Sequence, residues 1–258
     1  MPAIIPIPAF SDNYIWAIRV GGRAAVVDPG DAAPVQEWLA RERVELTAIL
    51  ATHHHGDHVG GIDALVGSRR IPVYGPAGET IPRRTHALAE GDTIDVEGVG
   101  LHLRVLDIPG HTAGHIAYVG DNDGAPVAFV GDTLFAAGCG RLFEGTPAQM
   151  SASLAKLAAL AGETRVYCGH EYTLANLRFA RVVEPSSTDI AERETRERKK
   201  RERGEPTLPT TIADERATNP FIRAAEPAVF AAAQRHAGRP LADAVDSFAT
   251  LRAWKNAF

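Results

Sequence analysis

At 258 residues, of which 45% are apolar and 23% charged, the chain has an ordinary globular composition and enough apolar side chains for a sizeable core. Its formal net charge of −5 argues against nucleic acid as the main partner, because nucleic-acid-binding surfaces are basic. We expect no membrane segment, since no apolar run approaches the roughly 20 residues that span a bilayer.

The cysteine content and the N-terminal residues bear on the compartment. Cys139 and Cys168 are the two cysteines, too few for a disulfide framework, which favours a reducing environment. Residues 1–10 contain three prolines and lack the basic region of a secretory signal. We therefore expect a cytoplasmic protein, with a monomer as the simplest assembly.

Strands alternate with helices in the first two-thirds of the chain. Short β-branched or apolar segments bounded by Gly, Pro and Asp predict strands, and amphipathic patterns predict helices. The predicted strands are 14–20, 24–27, 48–52, 101–108, 116–119, 127–130 and 165–168, and the predicted helices are 33–43, 58–66 and 147–160. This interleaving indicates an α/β architecture in which helices cover sheets.

The strand pattern fades after residue 171. The remaining segments predict helices at 172–183, 187–203, 227–237 and 241–254, with 204–217 as an extended loop. Acidic and basic residues alternate over 195–203, which indicates a solvated helix face. The sequence therefore predicts two domains, 1–171 and 172–258.

The pattern H-x-H-x-D-H directly follows a predicted strand. It is formed by His53, His55, Asp57 and His58, and a chance match in a chain of this composition has a probability of about one in a thousand. Imidazole and carboxylate groups suit zinc, iron and similar ions. Four such groups within six residues cannot easily converge on one ion. The pattern therefore favours two adjacent metal ions.

Three further candidate ligands follow other predicted strands. His111, Asp132 and His170 each lie beside a glycine, which permits a sharp turn and a close backbone approach. Ligands from several strand ends at one sheet edge predict a metal site. The other histidines are not expected to be ligands. His54 alternates with the ligands and is expected to point away from the metals, and His115 is expected to be structural or to support a ligand. The remaining histidines are expected to be structural: His86, His102 and His236.

These motifs, in this order, resemble those of the metallo-β-lactamase superfamily. The resemblance implies an α/β fold, an αββα sandwich with the metals at one edge of the sheets, here followed by a C-terminal α-helical domain. It also implies two ligand sets and a bridging carboxylate: His53, His55 and His111 for one ion, Asp57, His58 and His170 for the other, and Asp132 between them.

Further segments resemble the hydroxyacylglutathione hydrolases (glyoxalase II) within that superfamily. They are residues 11–14, 138–145, 168–173, 204–211 and 217–223, so that the resemblance extends nearly end to end. The helical last third is the discriminating part, because most other members lack it. The resemblance implies hydrolysis of S-(2-hydroxyacyl)glutathione, with S-D-lactoylglutathione giving glutathione and D-lactate, as in the second step of methylglyoxal detoxification.

The resemblance also implies that Arg141, Phe143, Tyr172, Arg252 and Lys255 contact the glutathione moiety. Some relatives have tyrosine in place of Phe143, so one hydrogen bond to the substrate is expected to be missing. Arg252 and Lys255, three residues apart on a predicted helix, would share a face and suit the carboxylates of glutathione. An ordinary solvated helix end is the alternative explanation for this pair.

The implied chemistry is attack by a water-derived nucleophile that two metals activate near neutral pH. Asp57 would orient that nucleophile, and Asp132 would set the separation of the metals. Zinc is the favoured metal, and iron and manganese are compatible with the same ligands. The alternatives are a one-iron glutathione persulfide dioxygenase, a lactonase or a lactamase. A closed structural metal site is disfavoured, because such sites prefer cysteine.

Overall fold

The computed structural model describes residues 2–258, which divide into two compact units. The first unit contains the described residues up to 107 together with 112–131 and 167–170. The second contains 108–111, 132–166 and 171–258. The second unit thus includes more than the helical last third, because the segment 132–166 is grouped with those helices.

The first unit contains a six-stranded sheet whose strands follow each other in chain order. They are β1 (Ala3–Ala9), β2 (Asn13–Val20), β3 (Arg23–Val27), β4 (Glu45–Leu50), β5 (Val73–Pro76) and β6 (His86–Leu88). The first three strands pair antiparallel, and β3 to β6 pair in parallel. Parallel pairing of β3 with β4 places the C-terminal ends of both strands at one edge of the sheet.

Helices of the first unit pack on this sheet. They are α1 (Ala32–Glu42), α2 (Gly56–Val59) and α3 (Ile62–Val66). Val35 of α1 and Ile62 of α3 belong to one buried apolar cluster with Ile15, Val26 and Ile49 of the sheet. Burial of this apolar face is the main stabilising contribution to the layer.

A second sheet of the first unit is mostly antiparallel. Its neighbouring strands are β7 (Thr93–Val96), β8 (Leu101–Asp107), β9 (Ile116–Asn122) and β10 (Ala125–Gly131), followed by β13 (Arg165–Cys168). Tyr167 and Cys168 of β13 lie in this unit, and the chain continues from them to His170.

The second unit is largely helical. Its elements are β11 (Leu134–Phe135), β12 (Gly138–Cys139), α4 (Pro147–Ala158), α5 (Thr173–Val183), α6 (Thr188–Glu202), β14 (Thr210–Thr211), α7 (Ile212–Thr218), α8 (Pro227–Ala237) and α9 (Ala244–Ala257). A capping box between Thr146 and Gln149 begins α4. Across residues 2–258, no helix has the length and apolar character needed to cross a membrane.

Two predicted elements are wrong in detail. The single helix expected at 58–66 is divided into α2 and α3 by Gly60 and Gly61, where a Cβ would collide with backbone atoms of Gly30 and Pro29. The loop expected at 204–217 contains β14 and most of α7, which Thr211 caps by accepting from the Asp214 N–H.

The expected solvated face of α6 is also only partly correct. Glu197 is 3% exposed and contacts Arg196 and Lys200 at 2.7 and 2.8 Å. Charge alternation along the sequence did not reveal this burial, because it depends on what packs against the helix.

Candidate metal centre

The H-x-H-x-D-H segment lies in the connection between β4 and α2. Asp28, just after β3, accepts from the Thr52 N–H and from the Thr52 hydroxyl, both at 2.7 Å. Asp28 is fixed in the left-handed region, with φ of 53°. The adjacent ends of β3 and β4 therefore hold the start of the segment in place.

Two imidazoles of the segment are oriented through their Nδ1 atoms. Nδ1 of His53 is 3.1 Å from the Thr52 hydroxyl, and Nδ1 of His58 is 3.2 Å from Asp28 Oδ2. Nε2 of His53 lies 3.2 Å from Nδ1 of His55. An imidazole held by an oxygen at one nitrogen presents the other as a ligand, which is the usual arrangement at metal sites.

The carboxylate of Asp57 lies between two further imidazoles. Its Oδ2 is 3.6 Å from Nε2 of His58 and 3.5 Å from Nε2 of His170. Asp12 holds Nδ1 of His170 at 2.7 Å, and Asn13 donates to Asp57 Oδ2 at 3.0 Å. Donor atoms of these three residues, Asp57, His58 and His170, all lie within 4.8 Å of one another.

The spacing and chemistry of these donor atoms fit a metal ion. Ligand atoms at about 2.0–2.1 Å from a tetrahedral ion are roughly 3.3 Å apart. The separations in the first unit, 3.2, 3.5 and 3.6 Å, are close to that value. Imidazole and carboxylate donors without cysteine suit zinc and other first-row ions.

The second unit brings together the other two predicted ligands. Nε2 of His111 is 3.5 Å from Asp132 Oδ2, and its Nδ1 is 2.9 Å from the carbonyl of Arg141. A Cβ on Gly140 would meet the Asp132 carbonyl and the His111 ring. Nδ1 of His111 is therefore held by an oxygen, as in the imidazoles of the first unit. Position 140 requires glycine, because a larger residue would collide with His111 and Asp132.

Three predicted substrate residues have exposed side chains. Arg141 is exposed; the ring of Phe143 lies edge-on to that of His111, with centroids 5.3 Å apart. The Phe143 N–H donates to the His111 carbonyl at 3.3 Å. Tyr172 lies just before α5, with its ring 5.2 Å from that of Phe135. These residues present a cation and two aromatic rings.

Arg252 is 6% exposed and is held by the protein. Its Nη1 donates to the Cys139 carbonyl at 2.7 Å, and its Nε donates to Asn256 Oδ1 at 3.2 Å. Burial raises the pKa of the Cys139 thiol, although Arg252 opposes the shift. The thiol is therefore a poor nucleophile.

Lys255 is half-buried beside Arg252. Its Nζ donates to the Ala175 carbonyl at 3.2 Å and lies 5.5 Å from the centre of the Phe179 ring. Burial lowers the pKa of Lys255 to about 8, helped by the cations of Arg252, Arg178 and Arg141. Positive charge is thus concentrated in this part of the second unit.

Two histidines outside the predicted ligand set lie beside its members in the chain or in space. Nδ1 of His54 is 2.9 Å from Glu79 Oε2. His115 is fully buried and stacks on His53, with centroids 4.5 Å apart, while its Nδ1 lies 3.1 Å from the Ile116 carbonyl. His115 therefore supports a predicted ligand through ring packing.

Sequence reasoning missed the residues that orient the imidazoles. Asp28 follows a predicted strand and precedes Pro29 and Gly30, which is the signal that marked the other candidates. Asp12 lies in a segment noted only for its resemblance. Glu79 had no local signal, because its partner His54 is distant in the chain.

Comparison with known proteins extends over the whole chain. Residues 10–170 match the metallo-beta-lactamase superfamily and residues 171–258 match the hydroxyacylglutathione hydrolase C-terminus. A hydroxyacylglutathione hydrolase of Cupriavidus taiwanensis is 58% identical over 100% of both chains. One of Nitrosomonas europaea is 53% identical over 99% of this chain and 96% of its own.

A solved structure supports the fold independently. The crystal structure of ETHE1 from Myxococcus xanthus gives a TM-score of 0.65 at 24% identity and covers 99% of each chain. At that identity it supports the fold alone, and the predicted αββα sandwich with a C-terminal helical region is confirmed. With both sequence models and the full-length relatives in agreement, the chain belongs to the metallo-β-lactamase superfamily and, within it, to the hydroxyacylglutathione hydrolase family.

Proposed function

We propose that this protein hydrolyses the thioester of S-(2-hydroxyacyl)glutathione, with S-D-lactoylglutathione as substrate and glutathione and D-lactate as products. The full-length identity of 58% to a hydroxyacylglutathione hydrolase carries this proposal. The match includes residues 171–258, which correspond to the C-terminal region of hydroxyacylglutathione hydrolases.

Two divalent metal ions would be held by the imidazole and carboxylate groups described above. We assign His53, His55 and His111 to one ion, Asp57, His58 and His170 to the other, and Asp132 to both. The oriented imidazoles and donor separations near 3.5 Å support this assignment. We propose zinc as the metal, with iron and manganese as the alternatives that the same ligands would accept.

Within the second unit, His111 and Asp132 support each other's assignment. Nε2 of His111 and Oδ2 of Asp132 are 3.5 Å apart, which is close to the separation of two ligands on one ion. We therefore propose both residues as ligands of a shared ion.

Metals bound at this site would lower the pKa of water and stabilise negative charge on the substrate oxygen. Asp57, held by Asn13 at 3.0 Å, would orient the attacking water. The leaving group is a thiolate, which departs without a strong general acid because thiols are far more acidic than alcohols. No such acid therefore needs to be assigned among the residues of this chain.

The glutathione moiety would contact Arg141, Phe143, Tyr172, Arg252 and Lys255. Arg141 and Lys255 supply cations for its carboxylates, and Tyr172 supplies a phenolic hydroxyl. Phe143 offers only an aromatic surface. We further propose a cytoplasmic location on the basis of the cysteine content, with a monomer as the simplest assembly.

The test is hydrolysis of S-D-lactoylglutathione by the purified protein, with metal content measured on the same sample. We expect rapid hydrolysis that chelation abolishes and added metal restores. A fully metallated protein that leaves this thioester intact would contradict the proposed function. Oxygen uptake with glutathione persulfide would then identify the dioxygenase alternative.

A further inference from the structure

A short hairpin links the predicted metal ligand Asp132 to the predicted substrate residue Arg141. Its strands β11 and β12 pair at Leu134 with Cys139 and at Phe135 with Gly138. We call residues 134–139 the hairpin segment. Besides this pairing, side chains from α5, from α7 and its C-terminal end, and from α9 form hydrogen bonds with the backbone of residues 135–139. Each contact supplies what a longer sheet would supply by strand pairing.

Asn219 makes the largest share of these contacts. Its buried Nδ2 donates to the Gly138 carbonyl at 2.9 Å and to the Phe135 carbonyl at 3.3 Å. The same group lies 2.8 Å from Glu215 Oε2, and Asn219 Oδ1 accepts from the Phe221 N–H at 3.0 Å. Asn219 belongs to the segment 217–223, which the chemistry proposed above does not use.

Glu215 holds the turn of the hairpin. It is fully buried and accepts from the Ala137 N–H at 2.8 Å. Ala137 has φ of 56°, in the left-handed region that a residue with a Cβ adopts only at a cost. Arg193 anchors the other carboxylate oxygen of Glu215 at 2.7 Å. The strained turn is therefore fixed by a buried ion pair.

Asn176 and Arg252 complete the set. Asn176 Nδ2 donates to the Ala136 carbonyl at 3.1 Å, and Arg252 Nη1 donates to the Cys139 carbonyl at 2.7 Å. A Cβ on Gly138 would collide with the Asn176 amide. The segment thus fits tightly between these side chains.

The two ends of the segment lead to residues of different burial. Beside Asp132, the Thr133 hydroxyl donates to the Ile108 carbonyl at 3.3 Å, and the Asp132 side chain is itself buried. The Arg141 carbonyl lies 2.9 Å from Nδ1 of His111, but the Arg141 side chain is exposed. A loosened hairpin segment should therefore displace the Arg141 side chain more than Asp132.

We propose that Asn176, Glu215, Asn219 and Arg252 are positioning residues, which hold the hairpin segment so that Arg141 can bind a carboxylate of the glutathione moiety. The proposal rests on the proposed function. It gives the segment 217–223 a role, and it gives Arg252 a task besides direct contact with the substrate. Substrate recognition then depends on buried amide and carboxylate groups that do not themselves touch the substrate.

The test is Asn219→Asp, which keeps the shape of the side chain but turns a carboxylate oxygen toward the two hairpin carbonyls and Glu215. We compare kcat/KM for S-D-lactoylglutathione and for S-D-lactoyl-N-acetylcysteamine, which lacks the carboxylates of glutathione. The ratio is kcat/KM for S-D-lactoylglutathione divided by kcat/KM for the small thioester. We expect this ratio to fall about tenfold, as for the loss of one charge-assisted hydrogen bond between Arg141 and a carboxylate. Hydrolysis of the small thioester should stay within about threefold of the wild type, a change worth less than one kcal/mol.

Arg223→Gln is the matched control. Arg223 lies in the same segment and pairs with Glu184 at 2.8 Å, without any contact to the hairpin segment among the described residues. This variant should keep the wild-type ratio. If Asn219→Asp does not fold, Asn176→Ala replaces it, because it removes only the contact to the Ala136 carbonyl. Its expected fall in the ratio is about threefold.

Two results would overturn the positioning role while leaving the proposed function intact. One is an unchanged ratio in a variant that is folded and fully metallated, when the wild-type protein is active. The other is an equal loss on both thioesters, which is the mark of a merely structural defect. A wild-type protein that hydrolyses neither thioester would overturn the proposed function, and the positioning role with it.

Discussion

Asp12 and His170 are 158 positions apart in the chain, yet their side chains meet at 2.7 Å. The Asp12 carboxylate fixes the imidazole so that Nε2 lies toward Asp57. Such outer partners raise the basicity of an imidazole and restrict its rotation. Asp12 is therefore expected to contribute to metal affinity without being a ligand.

We predict that Asp12→Asn weakens metal binding by about 10- to 100-fold, the usual cost of losing such a partner. Competition with a chelating indicator would measure the dissociation constants. Asp95→Asn is the matched control, because Asp95 also contacts an imidazole Nδ1, that of the exposed His102, at 2.9 Å. An Asp12→Asn protein with wild-type metal affinity would contradict the role of Asp12.

The pKa of Lys255 predicts a pH dependence of substrate affinity, if Lys255 binds a carboxylate as proposed. Burial, with smaller contributions from three arginines, lowers the pKa of Lys255 to about 8. Below that pH the side chain is charged and can attract a carboxylate, and above it the charge is lost. We therefore predict that KM for S-D-lactoylglutathione rises as pH increases from 7 to 9.

The control for this prediction is Lys255→Arg, since a guanidinium stays charged throughout this range. Its KM should change less with pH than that of the wild type, and the comparison removes effects from titration of the substrate. Equal pH profiles for the two proteins would show that Lys255 does not bind the substrate through its charge.

On the scale of elements, two arginines of α6 pair with glutamates in opposite environments. Arg193 and Glu215 have side chains 3% and 0% exposed and lie 2.7 Å apart. Arg198 pairs with Glu194 at the same distance of 2.7 Å, but its side chain is 59% exposed. Removing one partner of a buried pair leaves an uncompensated charge, whereas an exposed charge returns to water.

We predict that Arg193→Ala lowers the free energy of unfolding by about 3–5 kcal/mol. Arg198→Ala, in the same helix, should lower it by less than about 1 kcal/mol. Urea denaturation of both metallated proteins would measure the difference. Similar losses for the two variants would refute the importance of burial here.

Element boundaries show where local patterns suffice. The strand β13 and the helix α8 have the predicted bounds, since apolar runs and terminal prolines define them locally. The strand β1 was missed because it contains Pro6 and Pro8. It is an edge strand, where a missing N–H is tolerated. Its place at the edge is a property of the whole sheet.

For the molecule as a whole, metal binding should be coupled to folding. Ions held by ligands from several parts of the chain bind the native state and stabilise it, by about 4 kcal/mol at a thousand times the dissociation constant. For a chain of this size we predict that chelation lowers the thermal midpoint by about 10 °C. Differential scanning fluorimetry with and without added metal would measure the change.

Asp132→Ala should lose most of this metal-dependent shift together with hydrolytic activity, because a bridging ligand serves both ions. Asp95→Ala, at an exposed aspartate, should retain both. Full activity in a metallated Asp132→Ala protein would contradict the bridging assignment.

By itself, the sequence determined the α/β class, the helical last third and the predicted ligand set. Those features rest on neighbouring residues: strand ends beside glycines and four candidate ligands within six residues. Tertiary structure decided which groups orient the ligands and hold the hairpin segment. Asp12 meets His170, and Arg252 meets Cys139 across 113 positions, only after the chain has folded. Burial selects those partners, because a buried polar group must find a hydrogen bond wherever packing brings one within reach.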